Sequence, residues 1–386
     1  MSESINNNEN IVQWDSHYEN SDEQLISIIS NIKKQILVIG VGGAGNNTIS
    51  RLQELCLDEI ETLAINTDAQ DLFHTNSNYK LLIGEELTGG MGAGNDWRIA
   101  EQAAELDVER IRKFLNKKVI FIICGLGGGT GTGATPVLAR EAKKNGAIVI
   151  VICTIPFKVE GENKRITANL GLKRIDQYVD SIIPIRNDKL LKLFPNIPIL
   201  NAFKIIDEVI VNCIKTVFNI ISKCGLINLD LADLINIFSR KNNEEENMGF
   251  IGMAEVSLKD FELILQSNQK SSSETKSDLL NKILRRQAIK ALENPLLDID
   301  INEIKSCVVS ISSNQNLTLK NLNEILTVIS SKINPNAKIK IGTIIDAALD
   351  KIQIYIIGQG SSSPYVFQAK YITKDLPFKT HAEFIL

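Results

Sequence analysis

The stretch "GLGGGTGTGATP", residues 125 to 136, carries six glycines in its first nine positions. It follows the apolar run "VIFIICG" and leads into "VLAREAKKNG", whose composition predicts a helix over 136–145. A strand, a glycine turn and a helix in that order bring bare backbone N–H groups to a helix start, a setting suited to phosphate. Yet the stretch holds no lysine, unlike the usual lysine-bearing phosphate loop.

Two further glycine clusters lie upstream, "GVGGAG" at 40–45 and "GGMGAG" at 89–94. The first fits G-x-G-x-x-G between a strand and a helix, which serves either a dinucleotide or a merely tight turn. A nicotinamide-dependent oxidoreductase would also place an acid near the end of its second strand, where this chain offers Asn66 and Asp68 in "INTD". A dinucleotide fold needs one such loop. Three loops meeting at the carboxyl edge of a sheet can wrap a triphosphate instead, with backbone N–H groups in place of lysine and a metal ion offsetting charge.

Working outward, "KQILVIGV", "ETLAINTD", "KVIFIICG", "AIVIVICTIPF" and "SIIPIRN" alternate with helical segments. Several are continuously apolar, which predicts a parallel sheet covered on both faces. From Phe203 to Cys224, apolar residues recur every three to four positions, a broad stripe for a helix running through a core. Beyond it "FIGMAEVSL", the helical "DLLNKILRRQAIKALEN" at 278–294, "KSCVVSISS", a helix near 319–333 and two final strands form a second, smaller α/β unit. The four-residue loop "AALD" between those last strands predicts an antiparallel hairpin. The expected organisation is a disordered tail to 34, a nucleotide domain at 35–202, a central helix and following loop at 203–228, a C-terminal domain at 229–360, and a short flexible tail at 361–386.

Composition narrows the function classes. A chain of 386 residues with 44% hydrophobic and 23% charged residues suits a soluble two-domain protein. Its net charge of -4 argues against sequence-independent nucleic-acid binding. No basic n-region opens the chain and no apolar run is long enough to span a bilayer, so a cytoplasmic protein without direct membrane insertion is expected. The six cysteines lack CxxC spacing and read as reduced core residues, and three scattered histidines exclude a His-based metal site or a serine triad.

"GLINLDLADLINIF", 225–238, sets Asp230 and Asp233 three apart at a helix start. Helix capping explains that spacing; so does a pair that polarises a water or holds a hydrated metal.

With "GGGTGTG", "VIGVGGAGNN", "AINTDAQ", "RNDKLL", "AFKIIDEV" and "GLINLDLADL" in one order, the chain resembles the tubulin/FtsZ family of GTPases, in particular its bacterial cell-division members. The resemblance spans about residues 35 to 360. It implies a Rossmann-like parallel-sheet GTPase domain, a long central helix and a smaller α/β domain with a mixed sheet. It implies GTP or GDP as ligand, with Mg²⁺ carried mainly by the phosphates. The residues it implicates in nucleotide binding are Gly43, Ala44, Gly45, Asn46 and Asn47, then Gly92, Ala93 and Gly94, then Gly129, Thr130 and Gly131. Glu160 would lie near the ribose and Lys164 near phosphate, with Arg165 beside it. Phe203 would stack on guanine, and Asn187 and Asp207 would read its edge; a carboxylate pairs with the adjacent N1–H and amino donors that adenine lacks.

Asn228, Asp230 and Asp233 would be inserted against the nucleotide of the next subunit. Hydrolysis would then depend on head-to-tail assembly into a filament at the mid-cell division site. The sequence departs from the family at Ala44, within the glycine run, and at Lys164, where the family has arginine. "KDLPF" in the tail resembles, faintly, the peptide that binds membrane-tethering adaptors. The alternatives are a GTP-binding structural polymer with weak turnover and the nicotinamide-dependent oxidoreductase.

Overall fold

Runs of Ile and Val with no polar alternation become strands buried on both faces. In the computed structural model these are β1 (Ile36–Val41), β2 (Glu61–Asn66), β4 (Val119–Gly125), β5 (Ile148–Ile155) and β6 (Ser181–Arg186), with a short β3 (Tyr79–Leu82) at the edge. The structure describes residues 22–55, 60–189, 195–196, 198–222, 227, 229–240, 248–257, 276–293, 300–314 and 317–360. All six strands are parallel, in the order β3-β2-β1-β4-β5-β6.

The helices of this half are α1 (Asp22–Lys33), α2 (Gly42–Glu54), α3 (Ala69–His74), α4 (Glu85–Thr88), α5 (Trp97–Leu106), α6 (Val108–Arg112), α7 (Thr130–Lys144) and α8 (Glu162–Asp176). Strand residues divide between two cores by parity. Ile36 and Val38 pack with Ile49 and Leu52 of α2, whereas Leu37, Ile39 and Val41 pack with Val137, Leu138 and Leu172 on the opposite side. The predicted apolar helix is α9 (Ile199–Ser222); its Ile206, Ile210, Cys213, Ile214 and Val217 join the first of these cores.

After α9 come α10 (Leu231–Phe238), β7 (Met248–Ser257), α11 (Lys276–Leu292), β8 (Ile304–Ser313), α12 (Leu319–Lys332), β9 (Lys338–Ile345) and β10 (Lys351–Gly360). This sheet is mixed, in the order β7-β10-β8-β9, and a single register pair, Ile182 with Met248, makes it continuous with the parallel half. The junction is buried and polar. Gln359 Nε2 donates to the carbonyls of Asp180 and Phe238, both at 2.9 Å. The Asp180 carboxylate accepts from Lys143, from the Val149 N–H and from the Arg240 N–H.

Four expectations need correction. The last two strands form no hairpin. β8, α12 and β9 make a parallel unit, Cys307 aligned with Ile339, while β10 runs antiparallel between β7 and β8. A two-sided apolar strand such as β10 gains more from a central position than from an edge, and no short-range turn signal reports that. The expected disordered tail contains α1, which packs against α9 although Ile26, Ile28 and Ile29 remain exposed. Helix α7 begins at Thr130, so the last part of the glycine stretch is its first turn and Pro136 lies inside it. The connection between β2 and α5, read as loop, includes α3, β3 and α4. The Ser-rich insertion, the tail after Gly360, Cys56 and Cys224 lie outside the described residues; Cys124, Cys153, Cys213 and Cys307 are buried free thiols.

Candidate functional site

Strand order runs outward from β1 to β3 on one side and from β4 to β6 on the other, so a crevice opens beyond the carboxyl ends of β1 and β4. A pocket of about 760 Å³ occupies it. Two helix starts form its floor: α2 begins at Gly42 directly after β1, and α7 begins at Thr130. Neither has an acid in its first turn. Their unpaired N–H groups and positive dipole ends are therefore available to an anion.

Close packing fixes these loops. A Cβ on Gly131 would lie 2.4 Å from the Gly125 carbonyl oxygen, so only glycine lets α7 start this near β4. The hydroxyls of Thr67 and Thr130 lie 2.8 Å apart, joining the end of β2 to the start of α7. Thr132 Oγ1 accepts from the Gly127 N–H at 2.9 Å.

Most of the predicted ligand residues line this pocket. Gly43, Ala44 and Asn47 come from α2; Gly92, Ala93 and Gly94 from the second glycine loop; Gly129, Thr130 and Gly131 from the third. Glu160, Asn187, Phe203 and Asp207 complete the set. Three do not line it. Gly45 is a packing residue, since a Cβ there would lie 2.3 Å from the Ile123 carbonyl oxygen. Asn46 is fully buried behind the turn. Lys164 Nζ instead pairs with Glu160 Oε2 at 3.0 Å, and Arg165 pairs with Glu162. Glu160 Oε1 accepts from the Phe157 N–H at 2.8 Å, so both of its oxygens are engaged.

One end of the pocket suits a flat polar base. Phe203 meets Phe157 edge-on at 5.9 Å and keeps 43% of its surface exposed. Nearby, Asp207 Oδ1 accepts a 2.6 Å bond from the Thr48 hydroxyl. Burial raises the Asp207 carboxyl above its ordinary range, opposed by Thr48 and Arg51. Asn187 is buried, and its side-chain oxygen has no hydrogen-bond partner among the described residues. It lines the pocket as an acceptor awaiting a donor.

The other end carries Asp68, offered from the sequence only for a nicotinamide cofactor, and three residues that the sequence reading passed over as ligands: Asp71, Met91 and Asn95. Asp68 caps α3 by accepting from the Asp71 N–H at 3.0 Å, and Asn66 Nδ2 donates to Asp71 Oδ2 at 2.6 Å. Burial, then the nearby Asp68, raises the Asp71 carboxyl. A clue was present in "NTDAQD", an acid pair directly after a buried strand. No Lys or Arg lines the pocket among the described residues.

Asp230 and Asp233 are elsewhere. Asp230 is the N-cap of α10, accepting from the Asp233 N–H at 2.7 Å, and Asp233 returns a long 3.5 Å contact to the Asp230 N–H. The capping reading of their spacing is thus realised, which leaves the outward chemistry of the pair open to a neighbour. They follow the far end of α9, whose near end carries Phe203 and Asp207. At 1.5 Å per residue, Phe203 and Ser222 are roughly 28 Å apart. Asn228 lies outside the described residues. Among the described residues no cluster of three metal-ligating side chains occurs, and no helix is long and apolar enough to cross a membrane.

Comparison with known proteins agrees with this geometry. The profile "Tubulin/FtsZ family, GTPase domain" matches residues 35–195, and "FtsZ family, C-terminal domain" matches 276–362. Cell division protein FtsZ of Methanothermobacter thermautotrophicus is 38% identical over 350 residues, covering 90% of this chain and 85% of that protein. FtsZ 1 of Thermococcus kodakarensis is 39% identical over 346 residues, covering 89% and 85%. A solved empty FtsZ dimer from M. jannaschii superposes with a TM-score of 0.74 at 35% identity, covering 89% of this chain and 92% of that one. These relatives are archaeal, whereas the motifs had suggested a bacterial setting.

Proposed function

The chain belongs to the FtsZ family of tubulin-like cell-division GTPases, and from that premise we propose how its two poles share one reaction. It is a GTP-binding, GTP-hydrolysing division protein that self-associates. In our reading the triphosphate sits on the N–H groups of Gly43, Thr130 and Gly131, the base stacks on Phe203, and Asn187 and Asp207 read the guanine edge. Glu160 meets the ribose, with Lys164 close behind it. The units 35–202, 203–228 and 229–360 then correspond to nucleotide domain, spacer and catalytic donor.

One observation carries the proposal: the nucleotide pocket and Asp233 stand at opposite ends of α9, a separation that a single subunit cannot close. Within the pocket Asp68 is committed to capping and Asp71 to Asn66. We assign the water-orienting acids to Asp230 and Asp233, with Asn228, from the next subunit, as the family resemblance implies. In-line attack on a γ-phosphate needs positioning and charge stabilisation more than covalent chemistry, and a head-to-tail contact supplies the first. The lining also fits a nucleotide that arrives with Mg²⁺: the carboxylates of Asp68, Asp71, Glu160 and Asp207, with no Lys or Arg among the described residues, would repel a bare polyanion and favour a cation held on its phosphates.

Phosphate release measured across protein concentrations tests the arrangement. We expect a threshold below which turnover vanishes while GTP remains bound. Turnover strictly proportional to protein down to the most dilute sample would defeat it, and saturation by NAD in place of GTP would revive the oxidoreductase.

We further assign recruitment to the mid-cell ring to adaptors that bind the tail beyond Gly360. Truncation there should leave turnover intact and abolish localisation in cells; a truncated protein that still forms a ring would refute the assignment.

A further inference from the structure

The loop that delivers Asp230 and Asp233 is held by the edge strand β9. The Thr343 N–H donates to the Ile227 carbonyl at 3.1 Å, and the Ile227 N–H donates to Thr343 Oγ1 at 3.0 Å. Leu229 lies over Gly342, where a Cβ would come within 3.1 Å of its Cδ1. On the same strand, Lys340 Nζ meets Asp233 Oδ1 at 2.7 Å. With the Asp230 N–H at Asp233 Oδ2, both oxygens of this carboxylate are engaged within the free subunit. Charged residues on an edge strand usually serve to discourage strand pairing. Lys338, two residues away, fits that role and touches neither aspartate among the described residues; Lys340 does more.

We propose that Lys340 is a positioning residue for Asp233: it holds the carboxylate in one orientation on the lip presented to the neighbour's nucleotide, and it cancels one of the two negative charges that must approach a triphosphate. The inference rests on the trans-completed site described above.

The ion pair has a titration consequence. Lys340 holds the Asp233 carboxyl below its ordinary range, against the smaller effect of burial, and Asp230 adds its own hydrogen bonds. Lys340 and Asp230 are the titratable groups acting on it among the described residues. β5, β8 and β10 pack against α10, where the contacts are the apolar Leu234, Ile237 and Phe238 with the uncharged Ser306 and Gln359. If turnover needs Asp233 ionised, removing Lys340 raises its pKa and the rate fails at a higher pH.

The test uses the full chain with GTP and Mg²⁺, comparing the parent with Lys340→Met, Lys340→Gln and Lys340→Arg. Turnover per pelleted subunit is followed from acid to neutral pH. We expect Lys340→Met to pellet normally, to lose about tenfold in turnover, and to shift the acid limb upward by about half a pH unit or more. Lys340→Arg should track the parent. A Lys340→Met profile that overlays the parent overturns the proposal. So does loss of pelleting by both neutral variants, which would assign Lys340 to the contact itself. Asp233→Asn separates the two layers. If it turns over normally, the trans-completed site fails; if it is inert while Lys340→Met is normal, only the positioning role fails.

Discussion

Thr48 in α2 and Asp207 in α9 are 159 positions apart and joined by a 2.6 Å hydrogen bond, the hydroxyl donating to Oδ1. The bond links the glycine-turn helix to the central helix at the base end of the pocket. It also orients the carboxylate that is to read guanine.

Ionised Asp207 accepts from two adjacent guanine donors, whereas its protonated form loses one acceptor. Because burial raises this carboxyl, GTP affinity should weaken as the pH falls through the raised value. Asp207→Asn should cost about 10- to 100-fold in GTP affinity and flatten that pH dependence. It should also improve binding of xanthosine triphosphate, which offers a carbonyl at the 2-position. Titration calorimetry at several pH values reads all three effects.

Asp233→Ala should bind GTP within about twofold of the parent, since Asp233 is absent from the pocket lining, a twofold change being under ~0.5 kcal/mol. Turnover in the assembled state should vanish. Loss of nucleotide binding instead would give the residue a purely structural role as partner of the α10 cap.

Gly45→Ala separates packing from ligand contact. Its Cβ would lie 2.3 Å from the Ile123 carbonyl oxygen, so α2 must move off β4. The expected loss is about 2–3 kcal/mol of stability in denaturant unfolding. A variant as stable as the parent but unable to bind GTP would return Gly45 to the ligand set.

Glu141 is 1% exposed and accepts from Arg112, Arg140 and Lys144. Burial opposes its ionisation, yet the three cations prevail and set the carboxyl at about 2. A depressed folded-state pKa gives stability that is present above about pH 4.5 and lost as the pH falls towards about 2. Glu141→Gln should therefore cost about 3 kcal/mol at neutral pH and show a shallower acid transition. Equal stability at pH 7 would mean that desolvation cancels the pairing.

The phosphate end of the site was legible because glycine leaves a local mark. Two of the three clusters directly followed a readable strand and the other lay in a loop between readable elements, and all three line one pocket. Phe203, Asn187 and Asp207 came through family resemblance, since each is unremarkable in its own neighbourhood of sequence. Gly45 and Asn46 belong to the same motif yet miss the pocket, as a run of glycines cannot say which members face a ligand and which face a strand. Lys340 had no local signal at all, for its partner Asp233 is more than a hundred residues upstream.

By itself the amino-acid order determined the long elements of this protein, their succession and the backbone chemistry of its glycine turns, because periodicity, caps and bare N–H groups are properties of neighbours along the chain; α1 and the short α3, β3 and α4 carried too little of that signal to be read. Tertiary structure alone decided which strand lies beside which, as β10 shows by leaving β9 for the centre of the sheet. It also decided that the pocket and the acids of α10 lie at opposite ends of α9. Both outcomes come from burying apolar faces contributed by distant segments, and α9, apolar enough to be held rigid in that core, sets the distance between them.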